Sequence, residues 1–297
     1  MPSLKDYRDR IASVKSTRKI TSAMKLVAAS KLKKAQDKAQ ASQPYSERMS
    51  EMLDRLLSGV KVNESSPALL SGTGRDKIHL LIVITSDRGL AGGFNSSIVR
   101  LARQTVNQLE ADGKTVKLIC IGRKGRDLLR STHRDNIIEY FEGPGKQGLS
   151  FRDADKVSRM VLDMFAKEEF DVCSMLYNKF RSVIAQIPTT QQMIPFVGTT
   201  DTANDDTADA GADVLYEFEP DEEQLLEELL PKNLSIQIFA ALLDSSAGEH
   251  AARMTAMDNA TRNAGDRIDQ FTLAYNRARQ AYITKELIEI ISGAEAL

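Results

Sequence analysis

"MTAMDNATRNAGDRIDQFTLAYNRARQAY" (254–282) decides the fold. Within it Met254, Met257, Thr261, Ala264, Ile268, Phe271, Tyr275, Ala278 and Tyr282 step by three and four without a miss. That spacing places them on one helical stripe, the seam of a coiled coil. A second seam lies at the other end of the chain. Leu4, Tyr7, Ile11 and Val14 begin it, and Thr21, Ala28, Leu32, Ala35 and Ala39 continue it with mostly small or polar residues. Pro44 is the one interruption between 4 and 58, and Gly59 stops the run. At ~1.5 Å per residue this helix would be roughly 80 Å long, the length of a coiled coil or strut. Two seams at opposite ends predict a long antiparallel coiled coil with a domain inserted between them.

The middle of the chain changes character. "KIHLLIVITS" (77–86) is β-branched and continuously apolar, as a strand buried on both faces must be. A turn, an amphipathic helix and a Gly stop follow, then a second buried strand, "KTVKLICIG", and a short helix, "RKGRDLLRST". "FDVCSMLYNKFRSVIAQIPTTQQMIPF" supplies two more strands around a hairpin. Strand, helix, strand at this spacing is a βαβ unit, so the fold class is α/β with a mainly parallel, Rossmann-like head domain. The expected divisions are an N-terminal helix over 1–60, the α/β domain over 75–200, an acidic flexible insertion over 201–220 and a C-terminal helix over 221–297. Pro231 marks a kink or break in the last of these.

Past Tyr282 the stripe becomes broader. Ile283, Leu287, Ile290 and Ile291 recur at i, i+4, i+7 and i+8, and Ile288 widens the face to about half the circumference. Chain ends usually fray in solvent. So apolar an ending predicts insertion into an apolar surround.

Bulk composition excludes several classes. The chain has 297 residues, 42% hydrophobic and 27% charged, the profile of a globular protein. A net charge of −1 gives no overall bias toward nucleic acid or membrane. The charge is nevertheless uneven: Lys and Arg dominate residues 1–40, and every charged residue from Asp201 to Glu228 is acidic. Cys120 and Cys173 lie in apolar runs without C-x-x-C spacing, as reduced buried thiols do. No run approaches the ~18–20 apolar residues of a membrane span, and no secretory signal opens the chain.

Chemistry-bearing motifs are scarce. "SDRGLAGGFN" (86–95) follows a strand and opens a helix, where phosphate loops occur. Its glycines at 89, 92 and 93 fit neither the dinucleotide nor the P-loop pattern, and a tight turn exposing Arg88 is the better reading. The basic stretch 15–38 has no interleaved aromatics for stacking bases, so it reads as a solvated face meeting an acidic protein partner rather than nucleic acid. No paired carboxylates, Ser-His or Cys-His pairing, H-E-x-x-H run or metal-ligand cluster points to catalysis, a cofactor or a metal. His79, His133 and His250 read as incidental. The alternative that these residues leave open is a nucleotide-binding α/β enzyme with coiled-coil extensions.

"IASVKSTRKITSAMKLVAASKLKKAQ", "ITSDRGLAGGFN" and "NRARQAYITKELIEIISGAEAL" resemble the gamma subunit of the F-type ATP synthase, bacterial type. The most specific part is the terminal run Ile283, Thr284, Glu286, Glu289, Gly293 and Ala294. The resemblance implies a non-catalytic central rotor shaft that couples proton-driven rotation of the membrane c-ring to conformational cycling of catalytic beta subunits. The implied partners are alternating alpha and beta subunits around the coiled coil, with epsilon and the c-ring at the head. It implies partner contacts at Arg279 and Gln280, which match polar residues meeting a beta-subunit loop, and at Thr284 and Glu286 on the same face. Ile283, Leu287 and Ile290 would bear on the apolar sleeve of the ring. Met24 matches a position where added positive charge disturbs coupling, and Arg88 belongs to a turn near an acidic helix–loop of beta. Many relatives have Cys at the position of Ala91.

Two departures qualify the resemblance. The acidic insertion 201–213 is outside the general pattern, and the chloroplast-type regulatory cysteine pair is missing, which argues against redox control. The chain begins at the family's start without a transit peptide. The implied location is therefore peripheral, on the cytoplasmic face of a bacterial inner membrane, or the mitochondrial matrix side for a trimmed form.

Overall fold

The computed structural model describes residues 3–59, 67–143, 148–196 and 222–295. The acidic insertion, 201–220 as a domain division, lies outside the described residues. The chain forms two compact units, Met1–Ser30 with Arg253–Leu297, and Lys31–Ala252. Helices α1 (Leu4–Gly59) and α6 (Glu222–Glu295) each contribute to both.

In the larger unit the chain adds α2 (Ala68–Ser71), β1 (Ile78–Ile84), α3 (Phe94–Ala111), β2 (Thr115–Ile121), α4 (Arg123–Leu129), β3 (Ile137–Phe141), α5 (Phe151–Ala166), β4 (Val172–Phe180) and β5 (Gln186–Ile194). The sheet order is β3-β2-β1-β4-β5. β1 pairs parallel with β2 and β4, β2 pairs parallel with β3, and only β5 runs antiparallel, as the hairpin partner of β4. The α/β class and mainly parallel sheet are as expected.

Alternation along β1 builds two cores from one strand. Leu80, Ile82 and Ile84 face one way, against Val157, Val161 and Phe165 of α5 and Leu234, Ile238 and Leu242 of α6. Leu81 and Val83 face the other way, against Ile98, Val99, Ala102 and Val106 of α3. This is why "LLIVI" is continuously apolar: helices cover both faces. A third cluster joins Met49, Leu53 and Leu56 of α1 to Leu226 and Leu230 of α6.

The start of β1 is fastened by a buried carboxylate. Asp171 accepts hydrogen bonds from the backbone N–H of Lys77 (2.9 Å) and Ile78 (3.0 Å), from Thr73 Oγ1 (2.8 Å) and from Arg75 Nε (3.3 Å). Burial alone would push its pKa up. The donors outweigh burial and bring it down to about 2.

Three expectations need correction. Pro44 does not interrupt α1, and Pro231 does not break α6, which is helical on both sides of it. Proline removes one N–H, so one carbonyl loses its donor. In both cases the residue four earlier, Gln40 or Glu227, is exposed, so water can take over. The sequence reading also omitted β3 and α5. The α5 signal was present, since Ala154, Val157, Val161, Met164 and Phe165 recur at helical spacing and are buried.

In the smaller unit α1 and α6 pair antiparallel. Thr261 Oγ1 lies 2.7 Å from Thr21 Oγ1, Lys25 Nζ lies 2.6 Å from Asp258 Oδ1, and Arg8 Nη2 lies 2.8 Å from the Tyr275 hydroxyl. Numbers fall along α1 as they rise along α6, which fixes the antiparallel register. Ala28, Met257, Ala264 and Ile268 are buried in the seam, and Leu4, Tyr7, Ile11 and Val14 are half-buried.

Candidate functional site: the terminal overhang of α6

Where α1 begins determines where α6 loses its partner. Ser3 and Asp6 form a reciprocal cap, with Ser3 N–H donating to Asp6 Oδ2 (2.8 Å) and Asp6 N–H donating to Ser3 Oγ (3.2 Å). The Ser3 backbone N–H, with its hydroxyl, holds the Asp6 carboxyl below its ordinary pKa. The cross-helix register carries the first turn of α1 to the level of residues near Ala278. Beyond that level no described part of α1 remains, yet α6 continues to Glu295. At ~1.5 Å per residue the overhang is about 24 Å.

Every residue from Arg279 to Ser292 is exposed. Ile283, Leu287, Ile288, Ile290 and Ile291 are between 48% and 67% exposed, values that normally mark an interface when apolar residues cluster. Tyr282, expected in the seam, belongs to the overhang instead and is 53% exposed. It lies past the start of α1, so the three-four rhythm continues without a helix to meet it. Its phenol is pushed up by a hydrogen bond to the Glu286 carboxylate and by that group's charge. Lys285 and Glu289 pair along the helix at 3.4 Å.

Arg279, Gln280, Thr284 and Glu286 thus share the exposed overhang with Ile283, Leu287 and Ile290. Met24 is elsewhere on the same unit, half-buried on α1, one residue from Lys25. Arg88 is in the larger unit, exposed on the turn after β1. The expected site residues therefore fall into one cluster and two separate positions.

That turn is tied to its neighbours by its own side chains. Thr85 Oγ1 donates to the Ile121 carbonyl (3.1 Å) and accepts from Gly125 N–H (2.9 Å). Asn95 Oδ1 accepts from Ser86 N–H (2.9 Å), and Asp87 Oδ1 accepts from the N–H of Arg123 (3.0 Å) and Gly143 (3.1 Å). Gly122 is required here: with φ of 94°, its Cβ would stand 2.2 Å from the Thr85 carbonyl oxygen. The acceptors that crowd this turn suit a rigid corner rather than an anion cradle.

Elsewhere the chemistry is structural. Burial pushes the Cys120 thiol up to about 12 and raises that of Cys173, so both resist forming thiolates. His79 Nε2 lies 2.6 Å from Asp76. Among the described residues no group of His, Cys, Asp and Glu is placed to hold a metal ion. Among the same residues no helix is long and apolar enough to cross a membrane. Sequence reasoning missed the cross-helix pairs Thr21–Thr261 and Lys25–Asp258. Both follow from laying the two seams antiparallel, which places a Lys and an Asp beside the same layer.

An antiparallel helix pair, an unopposed apolar overhang and an α/β unit between the two helices in sequence are features that the chain shares with chains of solved ATP synthases. A chain from a structure of the Tetrahymena thermophila mitochondrial ATP synthase central stalk and c-ring matches with a TM-score of 0.58 at 25% identity, over 81% of this chain and 99% of that one. A chain of the Euglena gracilis mitochondrial ATP synthase shares the fold, with a TM-score of 0.69 at 19% identity over 99% of this chain and 94% of that one. The ATP synthase family model matches residues 3–297. ATP synthase gamma chains of Parvibaculum lavamentivorans and Rhodospirillum rubrum are each 56% identical, over the full length of both chains. The chain belongs to the ATP synthase gamma chain family.

Proposed function

We propose that this chain is the central rotor shaft of an F-type ATP synthase. It couples rotation of a membrane c-ring to conformational cycling of the beta subunits. The observation that carries the reading is the unopposed terminal helix. Five isoleucines and leucines exposed within nine residues need a surround, and an apolar sleeve formed by alpha and beta supplies one. A rotor stops at several angles, so its bearing must be non-directional. Apolar contact meets that requirement, whereas fixed hydrogen bonds would lock one angle.

The chain is non-catalytic in this reading. An asymmetric shaft touches each surrounding beta subunit differently and so biases each toward a different conformation. Arg279, Gln280, Thr284 and Glu286 make polar contacts at particular angles, while Ile283, Leu287 and Ile290 form the bearing. Met24 and Arg88 face stator surfaces, and the larger unit meets epsilon and the c-ring. The location is peripheral, on the cytoplasmic face of a bacterial inner membrane.

Purification of the tagged chain from its own membranes tests the assignment. Alpha, beta, epsilon and c subunits should come down together, in a complex that hydrolyses ATP. Recovery of the chain without alpha and beta, as a monodisperse monomer, would sink it.

A further inference from the structure

Thr21 and Thr261 interrupt an otherwise apolar and small-residue seam. Thr21 is 8% exposed, and its hydroxyl is 2.7 Å from that of Thr261. Thr261 donates to Thr21, and Thr21 passes its own proton to the Arg18 carbonyl (3.1 Å). The Met257 carbonyl, 2.7 Å from Thr261 Oγ1, shares the single Thr261 proton, so each hydroxyl stays close to its own helix. Around this layer the seam is apolar throughout, with Ala28 and Ala264 buried on either side and Met257 and Ile268 as its larger members. Small residues let two helices approach closely, but they discriminate poorly between one axial alignment and the next.

We infer that the Thr21–Thr261 pair is the polar register pin of the smaller unit, fixing how far α6 overhangs α1; this rests on the shaft reading above. The pin adds to the packing of Met49, Leu53 and Leu56 against Leu226 and Leu230 on the same two helices. A slip of one heptad displaces the helices by about 10 Å. In one direction it sets Thr261 against Val14 and Thr21 against Met254; in the other, Thr261 meets Ala28 and Thr21 meets Ile268. Both slips lose the hydroxyl–hydroxyl bond, and both bury a hydroxyl against an apolar neighbour. The Lys25–Asp258 ion pair does not select in the same way. In the first slip Asp258 comes opposite Arg18 and regains a cation. A single polar pair in a coiled-coil core is a well-attested way to specify register. Here the pair positions Arg279, Gln280 and the bearing face at a set height. It is a positioning element, not a binding one.

The test uses the assembled complex with alpha, beta and its membrane partners. Nitroxide labels at Ser13→Cys and Asn276→Cys, both exposed, report register through their separation, and buried Cys120 and Cys173 stay unlabelled. In the Thr21→Val/Thr261→Val background a second distance should appear, and protons pumped per ATP hydrolysed should fall at least about threefold while hydrolysis persists. Thr21→Ser/Thr261→Ser should keep one distance and the full ratio. A single distance in the Val variant, or two distances with an unchanged ratio, would overturn the proposal. Should the Val variant fail to assemble, Thr21→Cys/Thr261→Cys without labels decides. Its disulfide should form on oxidation and preserve the ratio; no disulfide, or a disulfide with the ratio lost, overturns it. Failure of the shaft reading looks different, because the unaltered chain would then neither assemble nor support pumping.

Discussion

Arg8 holds the last strong cross-helix contact before α1 ends. Its Nη2 and Nε donate to the Tyr275 hydroxyl at 2.8 and 3.0 Å, and its guanidinium carbon lies 5.5 Å from the ring centroid. Four residues later along α6 the exposed overhang begins. The pair therefore stands at the mouth of the coiled coil, where fraying would start. Exposed cation–π contacts contribute about 0.5–1 kcal/mol. Replacing Tyr275 by Leu keeps apolar bulk but removes both interactions. Hydrogen exchange of backbone amides over residues 7–11 should rise about three- to fivefold. Unchanged exchange there would mean that the seam alone holds the end of α1.

Asp171 gives the larger unit a pH dependence with a defined sign. Its folded pKa is depressed to about 2 from an ordinary 3.8, so its stabilisation is complete above about pH 4 and disappears as pH falls toward 2. Asp171→Asn should lower stability at pH 7 by about 2 kcal/mol, because a charged acceptor of several donors is replaced by a neutral one. The wild type and the variant should converge as pH approaches 2. Denaturant unfolding at pH 7, 4 and 2.5 measures this; a constant difference across the range would exclude the carboxylate as its source.

The overhang predicts a separation between bearing and coupling. Deleting Ile290–Leu297 removes apolar area but leaves the seam and Arg279 intact, so the complex should assemble and turn over with reduced thermal stability. Arg279→Leu should depress turnover more than assembly, since in the proposed role it removes a charge-assisted hydrogen bond of roughly 1.5–3 kcal/mol to a beta subunit. Native gels and ATPase assays on both variants decide. A truncation that abolishes turnover while Arg279→Leu changes nothing would reverse the two roles.

Much of this was legible in the residues. The two seams gave the coiled coil because their period is sustained, and "LLIVI" gave a strand buried on both faces because no polar residue interrupts it. The fate of Tyr282 was not legible. Period alone continues past the point where a partner helix stops, and that point is set by the Ser3–Asp6 cap at the other end of the chain. Pro44 and Pro231 misled for a related reason: a helix held by packing on both sides tolerates one missing donor when water reaches the freed carbonyl. Of the proposed site residues, those on the overhang were named from the terminal motif, and what the structure adds is their common exposure, whereas the Thr21–Thr261 bond needed the register of two segments some 240 positions apart.

Met24 tests whether charge next to the seam controls coupling. It is half-buried beside Lys25, whose ammonium is already engaged by Asp258. Met24→Lys adds a second cation that must find a partner outside the pair, on the stator. An ion pair across the moving surface at an effective dielectric of about 20 amounts to a few kcal/mol before desolvation. ATP hydrolysis should persist while ATP-driven proton pumping falls several-fold. Equal loss of both would indicate misassembly.

Rotation itself is the most direct measurement. With the alpha–beta ring fixed to a surface and a bead attached to the larger unit of this chain, ATP should drive continuous rotation in one direction. The rotation should stop when ATP is withdrawn. A bead that stays still while the same immobilised complexes hydrolyse ATP would contradict the account at its centre.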